Sequence, residues 1–119
     1  MGLAVTAKIL NSGVYPNQCF GIDALAVTPA GTHEQGGRNS IGTSEESIAI
    51  SADIATNGYA IVINRDATNF VQLGTATGVY WAKLLPGQAA LVPIDPSVTS
   101  LFLKADTAAC EVEYRLFEA

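Results

Sequence analysis

The chain has 119 residues and a net charge of −5; 14% of its residues are charged and 49% are hydrophobic. Disordered chains are poor in apolar residues and rich in charge, so we predict one folded domain over residues 1–119. The six Lys and Arg residues are scattered singly, which argues against nucleic acid as a partner. No apolar run reaches the length of a membrane span, so no membrane partner is expected. Sparse charge favours a subunit that packs against other proteins.

The first third of the chain is less regular than the rest. Apolar and polar residues alternate weakly over 3–10 and 22–28, which makes these two segments candidate strands. Residues 1–12 as a whole are predicted to form a terminal strand or arm. Residues 29–46 hold only one large apolar side chain, Ile41, among glycine and polar residues. This composition predicts an extended loop over 29–46.

From residue 47 onward, apolar and polar residues alternate with a period of two, which indicates strands. The clearest strand covers 110–117, where Cys110, Val112, Tyr114 and Leu116 share one face and charged residues take the other. Residues 59–63 are apolar on both faces, as expected of a central strand. The other predicted strands are 47–53, 70–73, 79–85, 89–92 and 100–104.

Turn residues separate these strands. Residues 64–69 are rich in Asn and Asp, whose side chains bond their own backbone. Pro86–Gly87 predicts a type II turn with the glycine at its third position. Eight or nine short strands with turns between them predict an all-β fold, a single antiparallel β-sandwich of jelly-roll type.

Few residues offer catalytic chemistry. The only histidine, His33, cannot build the two- or three-histidine metal site of a cupin- or oxygenase-type double-stranded β-helix. We expect it to be a solvated loop residue rather than part of a Ser-His-Asp or Cys-His arrangement. Cys19 and Cys110 are expected to be buried free thiols, because no secretory signal is apparent.

Carboxylates and aromatic residues have ordinary structural explanations. Glu111 and Glu113 share a strand face and resemble a glycosidase pair, but a solvated face beside Arg115 explains them better. Turn formation explains the aspartates better than calcium binding. The aromatic residues are expected to be mainly core, with a sugar-stacking platform as the alternative: Tyr15, Phe20, Tyr59, Phe70, Tyr80 and Trp81. We predict no catalytic residue, no cofactor and no metal.

The second part of the chain carries a recognisable series of short segments. They are Ile41-Gly42-Thr43, Asn57-Gly58-Tyr59, Ile63 to Gly74 (INRDATNFVQLG), Leu84-Leu85-Pro86-Gly87-Gln88, Lys104-Ala105-Asp106-Thr107 and Val112-Glu113-Tyr114. This part resembles small virion structural proteins of tailed bacteriophages, which are β-sandwich subunits. The segments are structural turns and not active-site motifs, and the first 40 residues share no such likeness.

The resemblance implies a non-enzymatic component of the virion, namely an outer capsid decoration (cement) protein. Its implied partners are the major capsid protein and copies of itself, as a homotrimer, and its implied location is the capsid surface after synthesis in the host cytoplasm. In such proteins an irregular segment often contacts the shell, for which residues 1–12 and 29–46 are the candidates.

Two other functions remain open at this point. The first is a tail, neck or fibre subunit of the virion. The second is a carbohydrate-binding module with Tyr15, Tyr80 or Trp81 as stacking residues. The charge pattern further predicts a charged outer side and separate, weakly charged sides for subunits and shell.

Overall fold

A computed structural model describes residues 31–119 in full, together with the backbone of Val5–Ala7 and Leu25–Val27. These residues form β-strands joined by turns, and no helix occurs among them. In chain order the strands are β1 (Val5–Ala7), β2 (Leu25–Val27), β3 (Glu34–Ile41), β4 (Glu46–Ala49), β5 (Asn57–Asn64), β6 (Val71–Gly74), β7 (Ala82–Leu84), β8 (Ala89–Pro93), β9 (Ser100–Ala105) and β10 (Cys110–Glu118).

The eight strands from β3 to β10 form two antiparallel sheets of four. The first sheet has the order β3-β10-β5-β8, and the second has the order β4-β9-β6-β7. The strand pairs are nested along the chain: β6 pairs with β7, and around this hairpin β5 pairs with β8, β4 with β9 and β3 with β10. The remaining two strands, β1 and β2, pair antiparallel with each other.

The two sheets share one hydrophobic core. Strand residues point alternately to opposite sides of a sheet, so every second residue can be buried. In β10 these residues are Cys110, Val112, Tyr114 and Leu116, which confirms the predicted face. They join one buried cluster with inward residues of the second sheet, which include Ile48, Val71, Leu73, Leu84, Leu101 and Leu103. The all-β prediction is therefore confirmed, with the two sheets packed in a sandwich-like way.

Strand β5 is central, as its apolar composition predicts. It lies between β10 and β8 in the first sheet. Ala60 and Val62 are fully buried in the core, while Tyr59, Ile61 and Ile63 are half-buried on the outward side. A strand with neighbours on both edges can bury apolar residues on both of its faces.

The predicted loop over residues 29–46 is wrong, because its middle part is a strand. Residues Glu34–Ile41 form β3 and pair with β10 along eight register positions, and Glu46 begins β4. Only Ile41 is buried, and Gly37 faces the ring of Tyr114, whose Cε1 would lie 3.5 Å from a Cβ atom at position 37. The aromatic ring of the neighbouring strand thus occupies space that an apolar side chain of β3 would otherwise fill.

The Pro86–Gly87 turn is confirmed. Gly87 has φ +79°, and the backbone N–H of Gln88 donates to the carbonyl of Leu85 at 2.9 Å. A positive φ at the third position and this hydrogen bond are the features of a type II turn. The turn connects β7 in the second sheet with β8 in the first.

Asn64 joins three segments at the end of β5. It is fully buried, and its Nδ2 donates to the carbonyls of Asn69 and Leu84, both at 2.9 Å. Its Oδ1 accepts from the backbone N–H of Asp66 at 2.9 Å. The predicted turn at 64–69 is therefore present, and its first residue also holds the end of β7.

Candidate interaction surfaces

The outward face of the first sheet carries charges of both signs on β3 and β10. Arg38 Nε and Arg65 Nη2 lie 3.4 and 3.2 Å from Glu113 Oε1. Arg115 Nη1 lies 3.6 Å from Glu34 Oε1. We call this surface the carboxylate face: it consists of the outward residues Glu34, Arg38, Glu111, Glu113 and Arg115, with Arg65 beside them.

The two glutamates considered as a glycosidase pair lie on this face. Glu111 and Glu113 are two residues apart on one side of β10, as expected. Partial burial raises the pKa of Glu113, but the charge of Arg65 and hydrogen bonds from Arg65 and Arg38 outweigh this effect and leave the pKa below its ordinary value. A general acid needs a raised pKa, whereas the pKa of Glu113 is lowered. Its arginine neighbours are Arg38 and Arg65, whereas the predicted neighbour Arg115 pairs with Glu34.

The outward face of the second sheet has a different composition. At the outward positions of β4, β9, β6 and β7, the charged side chains are the two lysines Lys83 and Lys104, and no carboxylate occurs there. Lys83 Nζ lies 4.0 Å from the centre of the Phe70 ring, within cation–π range. Phe102 is half-buried between the flanking strands. We call this surface the lysine face and define it by Phe70, Gln72, Lys83, Phe102 and Lys104.

The loop between β6 and β7, residues 75–81, folds back onto the lysine face. A Cβ atom at Gly74 would overlap the carbonyl oxygen of Val79 and lie 3.2 Å from Tyr80 Cα, so the loop backbone passes directly over this glycine. Gly78 adopts φ +70°, and its N–H donates to Glu45 Oε2 at 3.0 Å. Glu45 therefore ties the tip of the loop to the start of β4.

Three large apolar side chains are exposed around β7. Val79, Trp81 and Leu85 have relative exposures of 58%, 46% and 46%. Val79 and Trp81 precede the strand and Leu85 follows it, so these three residues flank the exposed Lys83. We call Val79, Trp81 and Leu85 the apolar patch. It extends the lysine face at the outer edge of the second sheet.

The aromatic residues that were considered as core or as a sugar-stacking platform differ in their exposure. Trp81 is exposed, as a stacking residue must be. Tyr80 is half-buried; burial first, and then a hydrogen bond to Glu45 and the charge of that carboxylate, raise the pKa of its hydroxyl. Phe70 lies beneath Lys83, and Tyr59 is half-buried on the first sheet. Tyr15 and Phe20 lie outside the described residues.

His33 is exposed next to the C-terminal end of β10. Its Nδ1 lies 3.3 Å from Glu118 Oε1 and 3.4 Å from Thr32 Oγ1. A catalytic triad places the hydroxyl and the carboxylate on different ring nitrogens, whereas both groups here are on Nδ1. The pKa of Glu118 is lowered, chiefly by the backbone N–H of Ala55, then by that of Thr32 and by His33. The cluster thus joins β10 to two neighbouring segments.

The remaining candidates are a cysteine and aspartates, several of which contact nearby groups of the fold. Cys110 is a buried free thiol, as predicted. Burial first, and then the negative charges of Asp66 and Asp106, raise the pKa of this thiol. Cys19 lies outside the described residues. Asp66 accepts backbone hydrogen bonds from Thr68 and Asn69, and Asp95 from Ser97. In residues 31–119, no three His, Cys, Asp or Glu side chains are grouped to hold a metal ion.

Comparison of the chain with protein-family models, curated proteins and solved structures found no match. The described residues also include no helix that could span a membrane.

Proposed function

We propose that β3 to β10 form a jelly roll. The support is the nested strand pairing, in which a chain folded as one long antiparallel ribbon is rolled so that successive strand pairs of the ribbon enter opposite sheets. The resulting orders, β3-β10-β5-β8 and β4-β9-β6-β7, correspond to an eight-stranded, two-sheet arrangement. Viral capsid proteins, lectins and cupins share this architecture, so the fold alone leaves several functions open.

We propose further that the chain is a non-enzymatic structural protein of a bacteriophage virion, an outer capsid decoration protein that stabilises the head. The observation that carries this proposal is the division of the surface: a carboxylate face on one sheet, and on the other a lysine face with the apolar patch. The likeness of residues 41–114 to small virion proteins is a second support.

A decoration protein has no need of a reactive group. It gains affinity by making several small contacts at once, because linked contacts raise the effective concentration of one another. We propose that the partners are the major capsid protein and two further copies of the chain in a homotrimer. The acidic net charge suits an outer subunit, since like-charged particles repel one another.

The test adds the purified full-length protein to capsids that lack it. We expect the protein to bind and to raise the temperature at which the particles rupture. No binding and an unchanged rupture temperature would contradict the proposal. A copy number of hundreds per particle supports a capsid location, whereas a few to a few tens would assign the chain to the tail, neck or fibre. Light scattering checks the trimer, and a monomer mass at micromolar concentration would contradict it.

A carbohydrate-binding module is the second candidate, favoured by the exposure of Trp81 and by the occurrence of jelly rolls among lectins. A glycan array with wild type and Trp81→Ala separates the two functions. Glycan binding that disappears in the variant would support the module, and no binding at millimolar sugar would remove it.

A further inference from the structure

We propose that the lysine face and the apolar patch together form the docking surface for an acidic protein surface. The inference rests on the proposed function, in which that acidic partner is the outside of the capsid shell. It concerns residues that sequence reasoning did not group, since the candidates for shell contact were residues 1–12 and 29–46.

The charge of the chain is unevenly distributed over its surface. The chain has eleven acidic and six basic residues, so an average patch of its surface is acidic. The outward positions of β4, β9, β6 and β7 depart from this average, because they carry Lys83 and Lys104 and no carboxylate. On the carboxylate face, by contrast, the arginines Arg38, Arg65 and Arg115 are balanced by the glutamates Glu34, Glu111 and Glu113, with ion pairs among them, so this face has no net charge. Of these two faces, the lysine face is the more positive, even with the Glu45 carboxylate at the loop beside it, and it therefore has the stronger attraction for carboxylates.

The apolar patch offers contact area to a protein partner. Aromatic side chains are enriched in the buried centre of protein interfaces, where a large ring adds contact area at low cost in conformational entropy. Trp81 is 46% exposed, and Val79 and Leu85 expose similar or larger fractions of their surface beside Lys83. A cation next to exposed apolar groups fits a protein surface with carboxylates around a small apolar centre.

The 75–81 loop, which carries part of the apolar patch, is held in place by hydrogen bonds. Loops that are ordered before binding lose less entropy when they bind. The 75–81 loop is held at its tip by the Glu45 carboxylate and at its base by the N–H of Trp81, which donates to the carbonyl of Leu73 at 3.0 Å. Glu45 is thus a positioning residue for the apolar patch.

Lys83 also admits a simpler explanation, because β7 lies at the edge of its sheet and lysines on edge strands prevent unwanted pairing. Replacement by glutamate separates the two roles. A glutamate still places a charge on the edge strand, so edge protection persists, whereas attraction to an acidic partner becomes repulsion.

The experiment compares full-length wild type with the double variant Lys83→Glu/Lys104→Glu and with Trp81→Ser. The control is Arg115→Glu, which makes the same charge reversal at one site on the other sheet. Co-sedimentation with capsids that lack the protein gives the affinity at low and high salt. We expect the double reversal to weaken binding by about tenfold or more, Trp81→Ser to weaken it at both salt concentrations, and Arg115→Glu to bind as wild type. Wild-type binding should fall as salt rises.

The outcomes distinguish the inference from the function on which it rests. Equal binding of wild type and the double variant would overturn the docking surface and leave the decoration function in place. If wild type does not bind capsids, the decoration function fails, and retention on immobilised poly-L-glutamate then decides the inference: lysine-dependent retention supports it, and no retention overturns it. Retention on heparin without binding to capsids or poly-L-glutamate would replace the acidic protein by an acidic glycan and also overturn the inference.

Discussion

The two loops that flank β6 are both held by side chains, but in different environments. The 65–70 loop is held by Asn64, which is fully buried and bonded to three backbone groups. The 75–81 loop is held by Glu45, which reaches Gly78 at an exposed site. Loss of a hydrogen bond in a buried site leaves an unsatisfied group, whereas water replaces it at an exposed site. The first anchor should therefore determine stability, and the second should determine how a surface is presented.

The largest effect is expected for Asn64→Asp. The new carboxylate would face the carbonyls of Asn69 and Leu84 without the two donated hydrogen bonds, so we expect a loss of about 3 kcal/mol or more in the free energy of unfolding at neutral pH. Both carbonyls favour the protonated carboxyl, so its folded pKa should exceed the unfolded value of about 3.9, and the loss should shrink as pH falls through the folded pKa.

Chemical denaturation at several pH values measures this effect. Asn39→Asp is the matched control, because it makes the same chemical change at an exposed position of β3. Equal stability loss in the two variants would remove the distinction between buried and exposed sites.

Gly74→Ala is expected to have the next largest effect. The added methyl group would overlap the backbone carbonyl of Val79, so the 75–81 loop must move away from the sheet. Overpacking of this kind costs about 1–3 kcal/mol. Gly37→Ala is the control within a strand, since its Cβ would make only ordinary contacts with Tyr114. Thermal unfolding measures the stability, and increased proteolysis within 75–81 should accompany the loss.

Glu118 tests a half-buried carboxylate that bonds backbone N–H groups. Its lowered folded pKa means that the charged form stabilises the fold above the ordinary pKa of 4.5, and that this stability is lost as pH falls through the lower folded pKa. We expect Glu118→Gln to flatten the acid limb of the stability curve. Glu111→Gln, on the same strand, serves as control; an identical acid limb in wild type and Glu118→Gln would refute this expectation.

Glu45→Gln should have the smallest effect on stability, within about 0.5 kcal/mol, because the site is exposed. The loop should nevertheless become more mobile, since an amide binds the Gly78 N–H less strongly than a carboxylate. Hydrogen exchange at Gly78 and Trp81 fluorescence report this change directly. Unchanged exchange at Gly78 would show that the carboxylate does not hold the loop.

Much of the fold follows from local patterns. The alternation in 110–117 and the apolar run in 59–63 identify β10 and β5, since burial on one or both faces leaves a period-two signal. Strand β3 leaves no such signal. Its inward positions include Gly37, which lies against the Tyr114 ring, so its pairing depends on a neighbour that is more than 70 residues away in the chain.

The surfaces, like the strands, could be predicted only in part from local sequence. The charged outward side of β10 is apparent from Glu111, Glu113 and Arg115 in the sequence. Which arginine meets which carboxylate depends on strand register, and register places Arg38 opposite Glu113. The lysine face combines side chains from the second sheet that are separated by over 20 residues, Lys83 and Lys104, and no local pattern links them.

The sequence by itself determined the all-β class, the sparse and acidic charge and the position of the sharpest turn, because each depends on composition or on neighbouring residues. Tertiary structure alone decided the strand order, the strand at 34–41, the loop over Gly74 and the meeting of the two lysines on one face. These features arise from backbone hydrogen bonds and contacts between distant segments, which every polar or apolar residue can join and which therefore leave little trace in the local sequence.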